Sequence, residues 1–261
     1  MNKKLLVVTD LDATLLDSAY SWAAAGPALA RMKEAGIPLV LNSSKTVAEM
    51  QALADELDLT SPIIAENGGL IAVPDASGAY SIRLTGLSRD FILQQAHGLR
   101  GRGNFKFSGF ADWTAAELAA ETGLSESMAQ RSQDRHATEP ILWEDSEERL
   151  TQFKEALAQS EIRILRGGHF LHLMGPADKA DGAVAALEFY RKADPGVDWT
   201  VVALGDSAND CAMLEAADIA VVIPHTDGAR IEPKAQRVML APHPSTEGWN
   251  AALLTILDEY C

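Results

Sequence analysis

Cysteine is nearly absent: Cys211 and Cys261 are the whole supply in 261 residues. Their spacing suggests neither a disulfide framework nor a zinc site, so a reducing cytoplasm is the expected setting. Long apolar runs are missing too. The first one is interrupted by Asp10 and Asp12, too early for a signal-peptide core, and no stretch approaches the ~20 residues that span a bilayer. Positive charge is scarce, with 22 lysines and arginines against 37 aspartates and glutamates, for a net charge of −15. That balance opposes long-range attraction to nucleic acid or to an anionic membrane. A small anionic ligand is not excluded, because a bound cation and a few basic side chains reverse the field locally.

What is present is ordinary globular material, 47% hydrophobic and 23% charged, without internal repeats. Leu5 to Val8 is a continuous apolar run, as expected of a strand buried on both faces. Helical spacing over Trp22–Ala35, a second apolar run at Ile37–Leu41, a helix over Thr46–Leu57 and a strand at Ile63–Ala65 follow in turn. The same alternation returns with a helix at Lys179–Tyr190, a strand at Thr200–Leu204, a helix at Asn209–Ala216 and a strand at Ile219–Ile223. This pattern predicts an α/β fold with a doubly wound parallel sheet. Between the halves, short strand candidates at Phe105–Phe107, Ile141–Trp143, Ile162–Leu165 and Phe170–Met174 alternate with two or three helical stretches. The expected division is a core of residues 1–84 and 176–261, interrupted by an inserted α+β cap at 85–175.

Chemistry-bearing residues fall at the ends of the expected strands. Asp10-Leu11-Asp12 follows the first, and two carboxylates so close together call for a cation or a retained proton. Gly205-Asp206-Ser207-Ala208-Asn209-Asp210 follows a later one, an oxygen-rich set that suits magnesium but also fits a helix cap. Ser43, Ser44 and Lys45 follow the second strand, where a hydroxyl can reach a phosphoryl oxygen or cap the next helix. Lys179 begins a helix, where a cation is disfavoured unless an anion faces it.

DLDATLLD, Ser43, Lys179 and GDSANDCAML, in this order, resemble the four motifs of the haloacid dehalogenase superfamily of phosphatases, and the insertion resembles its C2B cap. SSKTVAEM, IAENGG, FKF, TGLS and RGGHFLHL are similar to segments of the mannosyl-3-phosphoglycerate phosphatase family within it. The resemblance implies Asp10 as nucleophile and magnesium ligand, and Asp12 as acid and base whose backbone carbonyl also binds the metal. Asp206 would complete the metal ligands, with Asn209 and Asp210 supporting them, while Ser43 and Lys179 hold the phosphoryl group. Ser44, Lys45, Glu66, Asn67, Gly68 and Gly69 would face the substrate from the core, and Lys106, Gly167, Gly168 and His169 from the cap. His169 and His172 alternate along one expected strand, so one can face a cleft while the other serves the structure. The implied substrate is a small phosphorylated sugar-glycerate: the mannosyl ester, its glucosyl analogue, or a broader set of sugar phosphates. Ala13 and Ala180 stand where relatives usually carry glycine, and His169 where some carry arginine. A phosphorylated receiver module uses a similar aspartate, hydroxyl and lysine set, but Asp12 and the large insertion argue against one.

Overall fold

The computed structural model describes residues 2–75 and 78–260; Cys261 lies outside them. The chain starts with strand β1 (Asn2–Thr9), helix α1 (Gly26–Glu34), β2 (Leu39–Asn42), α2 (Val47–Glu56) and β3 (Ile63–Ala65). An antiparallel hairpin, β4 (Leu70–Pro74) and β5 (Tyr80–Leu84), follows. Next come α3 (Arg89–Gly103), β6 (Phe107–Gly109), α4 (Ala115–Thr122), α5 (Glu126–Gln133), β7 (Thr138–Trp143), α6 (Glu147–Ala158), β8 (Arg163–Gly167) and β9 (Phe170–Met174). The chain then makes α7 (Lys179–Ala193), β10 (Val197–Gly205), α8 (Cys211–Glu215), β11 (Ile219–Val222), β12 (Val238–Leu240) and α9 (Ser245–Tyr260).

Eight strands form one sheet in the order β12-β11-β10-β1-β2-β3-β4-β5. All pairings from β12 through β3 are parallel, and the β4–β5 hairpin extends the edge antiparallel. The apolar run of β1 is buried on both faces because alternate residues enter two separate cores. Leu5 and Val7 pack with Met32, Met50 and Trp249 beneath α1, α2 and α9. Leu6 and Val8 pack with Ala183, Ala186 and Met213 beneath α7 and α8. Successive crossovers run outward from β1 in opposite directions, which leaves a crevice at its C-terminal end, the place where open α/β sheets bind ligands.

A second, four-stranded antiparallel sheet of order β6-β7-β9-β8 is built from the middle of the chain. Its core is aromatic: Phe105, Phe107, Trp143 and Phe153 lie with ring centroids 5.1–6.3 Å apart. Trp113 packs in a smaller cluster with Phe110 and Phe170. Phe105 precedes the strand rather than starting it, and four helices rather than two or three accompany this sheet among the described residues.

This second layer is fastened to the first. Thr46, which closes a capping box with Glu49 at the start of α2, donates its hydroxyl to the Arg131 carbonyl at 2.8 Å. Arg135 donates to the Thr138 hydroxyl and to the Ser44 carbonyl. Ala137 is buried within the core cluster beneath α2.

Candidate active site

The C-terminal edge of the parallel strands gathers the charged residues of the site. Asp10 follows β1 and Asp206 follows β10; both are buried. Lys179 opens α7, whose first turn is fixed by Asp178: its carboxylate accepts from the Ala180 and Asp181 amides. The side chain of Lys179 is 1% exposed and its ammonium lies 2.5 Å from Asp10 Oδ1 and 2.6 Å from Asp210 Oδ1. Burial alone would lower the lysine's pKa, but the two carboxylates outweigh it and hold the group above its usual range, so it stays charged.

Oxygen atoms of Asp10, Asp206 and Asp210 lie within 4.8 Å of one another. Burial is the main reason that Asp10 is pushed up to about 8, with Asp210 and Asp206 adding to the effect against Lys179. Asp206 is raised as well, by burial and then by Asp210, with His225 and Lys179 opposing. Three carboxylates facing one ammonium in a dry pocket are what a divalent cation would relieve, and the all-oxygen donor set fits magnesium. Asp210 is the least free to join it. Its Oδ1 takes Lys179, and its Oδ2 takes the Asp206 and Ser207 amides and the Ser207 hydroxyl. Asp10 and Asp206 are the carboxylates that could hold such an ion, with Asp210 holding the loop.

Asp12 differs from Asp10. Its side chain is 47% exposed and paired with the Lys45 ammonium. Between Asp12 and Thr14, Ala13 adopts a left-handed φ of 57°, where relatives' glycine would be unstrained.

A cavity of about 420 Å³ opens over these residues. From the core it is walled by Asp10, Asp12, Ala13, Ser44, Asn67 and the 206–209 loop. From the second layer come Leu165, Arg166, Gly167, Gly168 and His172, on the β8–β9 hairpin. Asn67 accepts from the Asn209 amide at 3.1 Å, which ties two loops of the wall together. A larger cavity, about 560 Å³, lies at the opposite strand ends between Trp22, Met32, Tyr190 and Trp199, and contains none of the charged cluster.

Ser43, like Lys179, is buried and not in the cavity lining; it follows β2, its amide donating to the Ile64 carbonyl and its hydroxyl accepting from the Lys45 amide. Several other expected site residues go elsewhere. Glu66 is fully buried and turned away from the cavity. It accepts from the His136 amide, the Ala137 amide and the Thr138 hydroxyl, fastening the two layers together. Gly68 has a φ of +82°, and a Cβ there would sit 1.8 Å from the Asp178 carbonyl oxygen, so the residue serves close packing against α7. Gly69 packs in the same way against Ala137. Lys106 is an exposed residue before β6. His169, 62% exposed at the hairpin turn, lies 3.4 Å from Glu121. Neither reaches the cavity.

Three residues gain a place that spacing did not assign. His225, three residues past β11, puts Nε2 2.7 Å from Asp206 Oδ2, though off the line of a hydrogen bond. Its position at a strand end was the available signal. Arg166 and His172 belong to the wall, and for His172 the alternation along β9 was the hint.

Residues 7–227 match the model of the haloacid dehalogenase-like hydrolases. The chain belongs to this family. It is 33% identical, over 264 aligned positions covering 98% of both chains, to a glucosyl-3-phosphoglycerate/mannosyl-3-phosphoglycerate phosphatase of Persephonella marina. The fold is similar to that of a haloacid dehalogenase-like hydrolase from Bacteroides thetaiotaomicron, with a TM-score of 0.68 at 21% identity over 97% of this chain and 100% of that one. A Thermotoga maritima protein gives 0.67 at 18% identity, over 98% and 97%. Family membership and the phosphatase relative make this haloacid dehalogenase-like hydrolase a phosphoric monoester hydrolase. No helix among the described residues is long and apolar enough to cross a membrane.

Proposed function

We propose that this hydrolase removes phosphate from mannosyl-3-phosphoglycerate, yielding mannosylglycerate and inorganic phosphate through a phosphorylated Asp10, with magnesium as cofactor. The observation that carries the reading is the buried Lys179 ammonium held between Asp10 and Asp210, with Asp206 beside them. Asp10, Asp206 and the Asp12 backbone carbonyl would hold the ion. Its charge would offset the repulsion between an anionic nucleophile and an anionic phosphate ester.

The protein's own groups divide the remaining work. The Asp10 carboxylate attacks phosphorus, and the aspartyl-phosphate splits one difficult displacement into two. Lys179, with the Ser43 hydroxyl, offsets charge on the equatorial oxygens. Asp12 gives a proton to the departing alcohol oxygen and later takes one from the water that attacks the aspartyl-phosphate. For that first step Asp12 must lose its pairing with Lys45, and an incoming phosphate supplies a competing anion for the lysine. Residues of the β8–β9 hairpin cover the cavity and exclude bulk water.

The substrate follows from the Persephonella relative and from the cavity size, which suits a small metabolite. That relative's double name favours the glucosyl epimer as a second substrate. Free-phosphate release from both esters, with magnesium and with excess chelator, tests the proposal. Turnover of the mannosyl ester that stops on chelation supports it. A metal-loaded enzyme that releases no phosphate from either ester defeats it, and a glucosyl kcat/KM at least tenfold the higher would reverse the preference.

A further inference from the structure

Strand β5 ends the large sheet with β4 as its single neighbour, so its outer edge has no partner among the described residues. The register fixes which main-chain groups that edge presents. Asp75 donates to the Ala79 carbonyl and Thr85 to the Gly69 carbonyl, so Ser81 and Arg83, between them, also bond inward to β4. The N–H and C=O groups of Tyr80, Ile82 and Leu84 therefore point outward. The side chains of these three share one face of the sheet. Tyr80 packs against the core that contains Met50, while Ile82 and Leu84 are 41% and 44% exposed. Proteins blunt exposed edges with proline, lysine, bulges or very short strands, because a bare apolar edge is a template for pairing. Tyr80–Leu84 has no proline or lysine and pairs with β4 without a bulge. The other end of the sheet, β12, is only three residues long.

A second copy of the chain fits this edge. Set antiparallel about Ile82, two β5 strands bring Ile82 against Ile82 and Tyr80 against Leu84 of the other copy, with each outward N–H facing an outward C=O. On the opposite face Ser81 meets Arg83, so no like charges stand directly opposed. The charge of the chain favours the same place. With a net charge of −15, two copies repel each other over most of their surface, yet no aspartate or glutamate lies between Asp75 and Asp90. An unrelated strand would have to match both the alternation and the lack of acids; a twofold axis supplies both.

We propose that β5 is an interface between two copies of this chain, paired antiparallel about Ile82 so that two eight-stranded sheets become one. Five residues per copy bury less than the ~800 Å² per partner of a standard interface, so the dimer is weak, with a dissociation constant in the micromolar range. The crevice at the end of β1 is separated from β5 by β2, β3 and β4, so the pairing leaves both active sites open.

Sedimentation velocity from about 1 to 200 μM is expected to show a change from one copy to two. Ile82→Lys sets two ammonium groups opposite each other and should remain monomeric throughout, with phosphate release and the melting temperature of the monomer unchanged. Ile82→Val keeps the apolar contact and should still dimerise. Crosslinking reads the register. In Ile82→Cys the paired Cα atoms would lie about 5.5 Å apart, within disulfide reach. Mild oxidation should link this variant at least fivefold more than Arg83→Cys or the unaltered protein, in which Cys211 and Cys261 set the background. A protein that stays monomeric to 200 μM, a dimer that survives Ile82→Lys, or equal crosslinking through positions 82 and 83 overturns the proposal. Growth beyond two copies overturns it as well, since a twofold pairing is closed.

Discussion

His225 Nε2 lies 2.7 Å from Asp206 Oδ2, across a gap of 18 residues that the sheet closes by pairing β10 with β11. The Thr14 hydroxyl reaches the other oxygen, Oδ1, at 3.3 Å. A carboxylate held from both sides is pre-aimed, and partners of this kind typically alter metal affinity ~10–100-fold when removed. His225→Ala is therefore expected to raise the magnesium concentration for half-maximal activity about tenfold. Manganese binding followed by electron paramagnetic resonance, which needs no turnover, should weaken in parallel. Unchanged affinity in both measurements would reduce His225 to a packing residue.

As a proposed metal ligand, Asp10 is expected to set the pH dependence of magnesium binding. Burial holds its pKa at about 8, above its ordinary value of 3.8, so without a cation the carboxyl keeps its proton at neutral pH. A metal ligand must lose that proton. Magnesium affinity should therefore climb as pH rises from 6 towards 8, by at most tenfold per unit, and level above. The metal-free fold behaves oppositely. A raised carboxyl pKa contributes stability below pH 3.8 that is progressively lost as pH rises to about 8. Calorimetric titration in buffers of different ionisation enthalpy would detect the released proton; flat affinity from pH 6 to 8 would contradict the assignment.

Glu66 carries a stability prediction in place of a binding one. Its two oxygens take three donors from residues 136–138, and its own amide donates to the Lys45 carbonyl at 2.9 Å. Glu66→Ala strands buried amides, each costing roughly 1–3 kcal/mol if water cannot replace the carboxylate. A loss of about 3 kcal/mol in urea denaturation is expected. The surviving folded enzyme should keep its KM for the ester, because the side chain does not touch the cavity. A large KM increase without a loss of stability would return Glu66 to substrate binding.

The parts of this molecule legible in its sequence are those whose cause is local. The run Leu5–Val8 signals a doubly buried strand because the run itself is continuous, and Thr46 and Glu49 signal the start of α2 because a capping box spans four residues. Helix α9, with Trp249, Leu253, Ile256 and Leu257 buried at helical spacing, was open to the same reasoning. The β4–β5 hairpin carried its own signal, Tyr80, Ile82 and Leu84 alternating with Ser81 and Arg83, although the strand is largely exposed and its alternation faces no core. Within the site, Asp10, Lys179 and Asp206 announce themselves at element ends. Glu66 misled because its partners lie some 70 residues on.

Lys179 is where stability and chemistry are most tightly joined. It is the cation that touches both Asp10 and Asp210, and all three are buried. Removing one partner of a buried pair costs about 3–5 kcal/mol, because the remaining charge has neither water nor counterion. In Lys179→Ala the carboxylates can relieve the strain in two ways, by keeping protons or by binding a cation. The variant should therefore be closest to wild-type stability at acidic pH, and it should lose ground steadily towards pH 8. Magnesium should restore much of that loss, and more than it stabilises the wild type. Activity should not return with it, since the ion cannot replace an ammonium on the phosphoryl oxygens. Chemical denaturation at pH 5 and pH 8, each with and without magnesium, separates these effects. A pH-independent deficit that magnesium leaves unchanged would mean that Lys179 matters for packing, and that the negative charge of the cluster is balanced elsewhere.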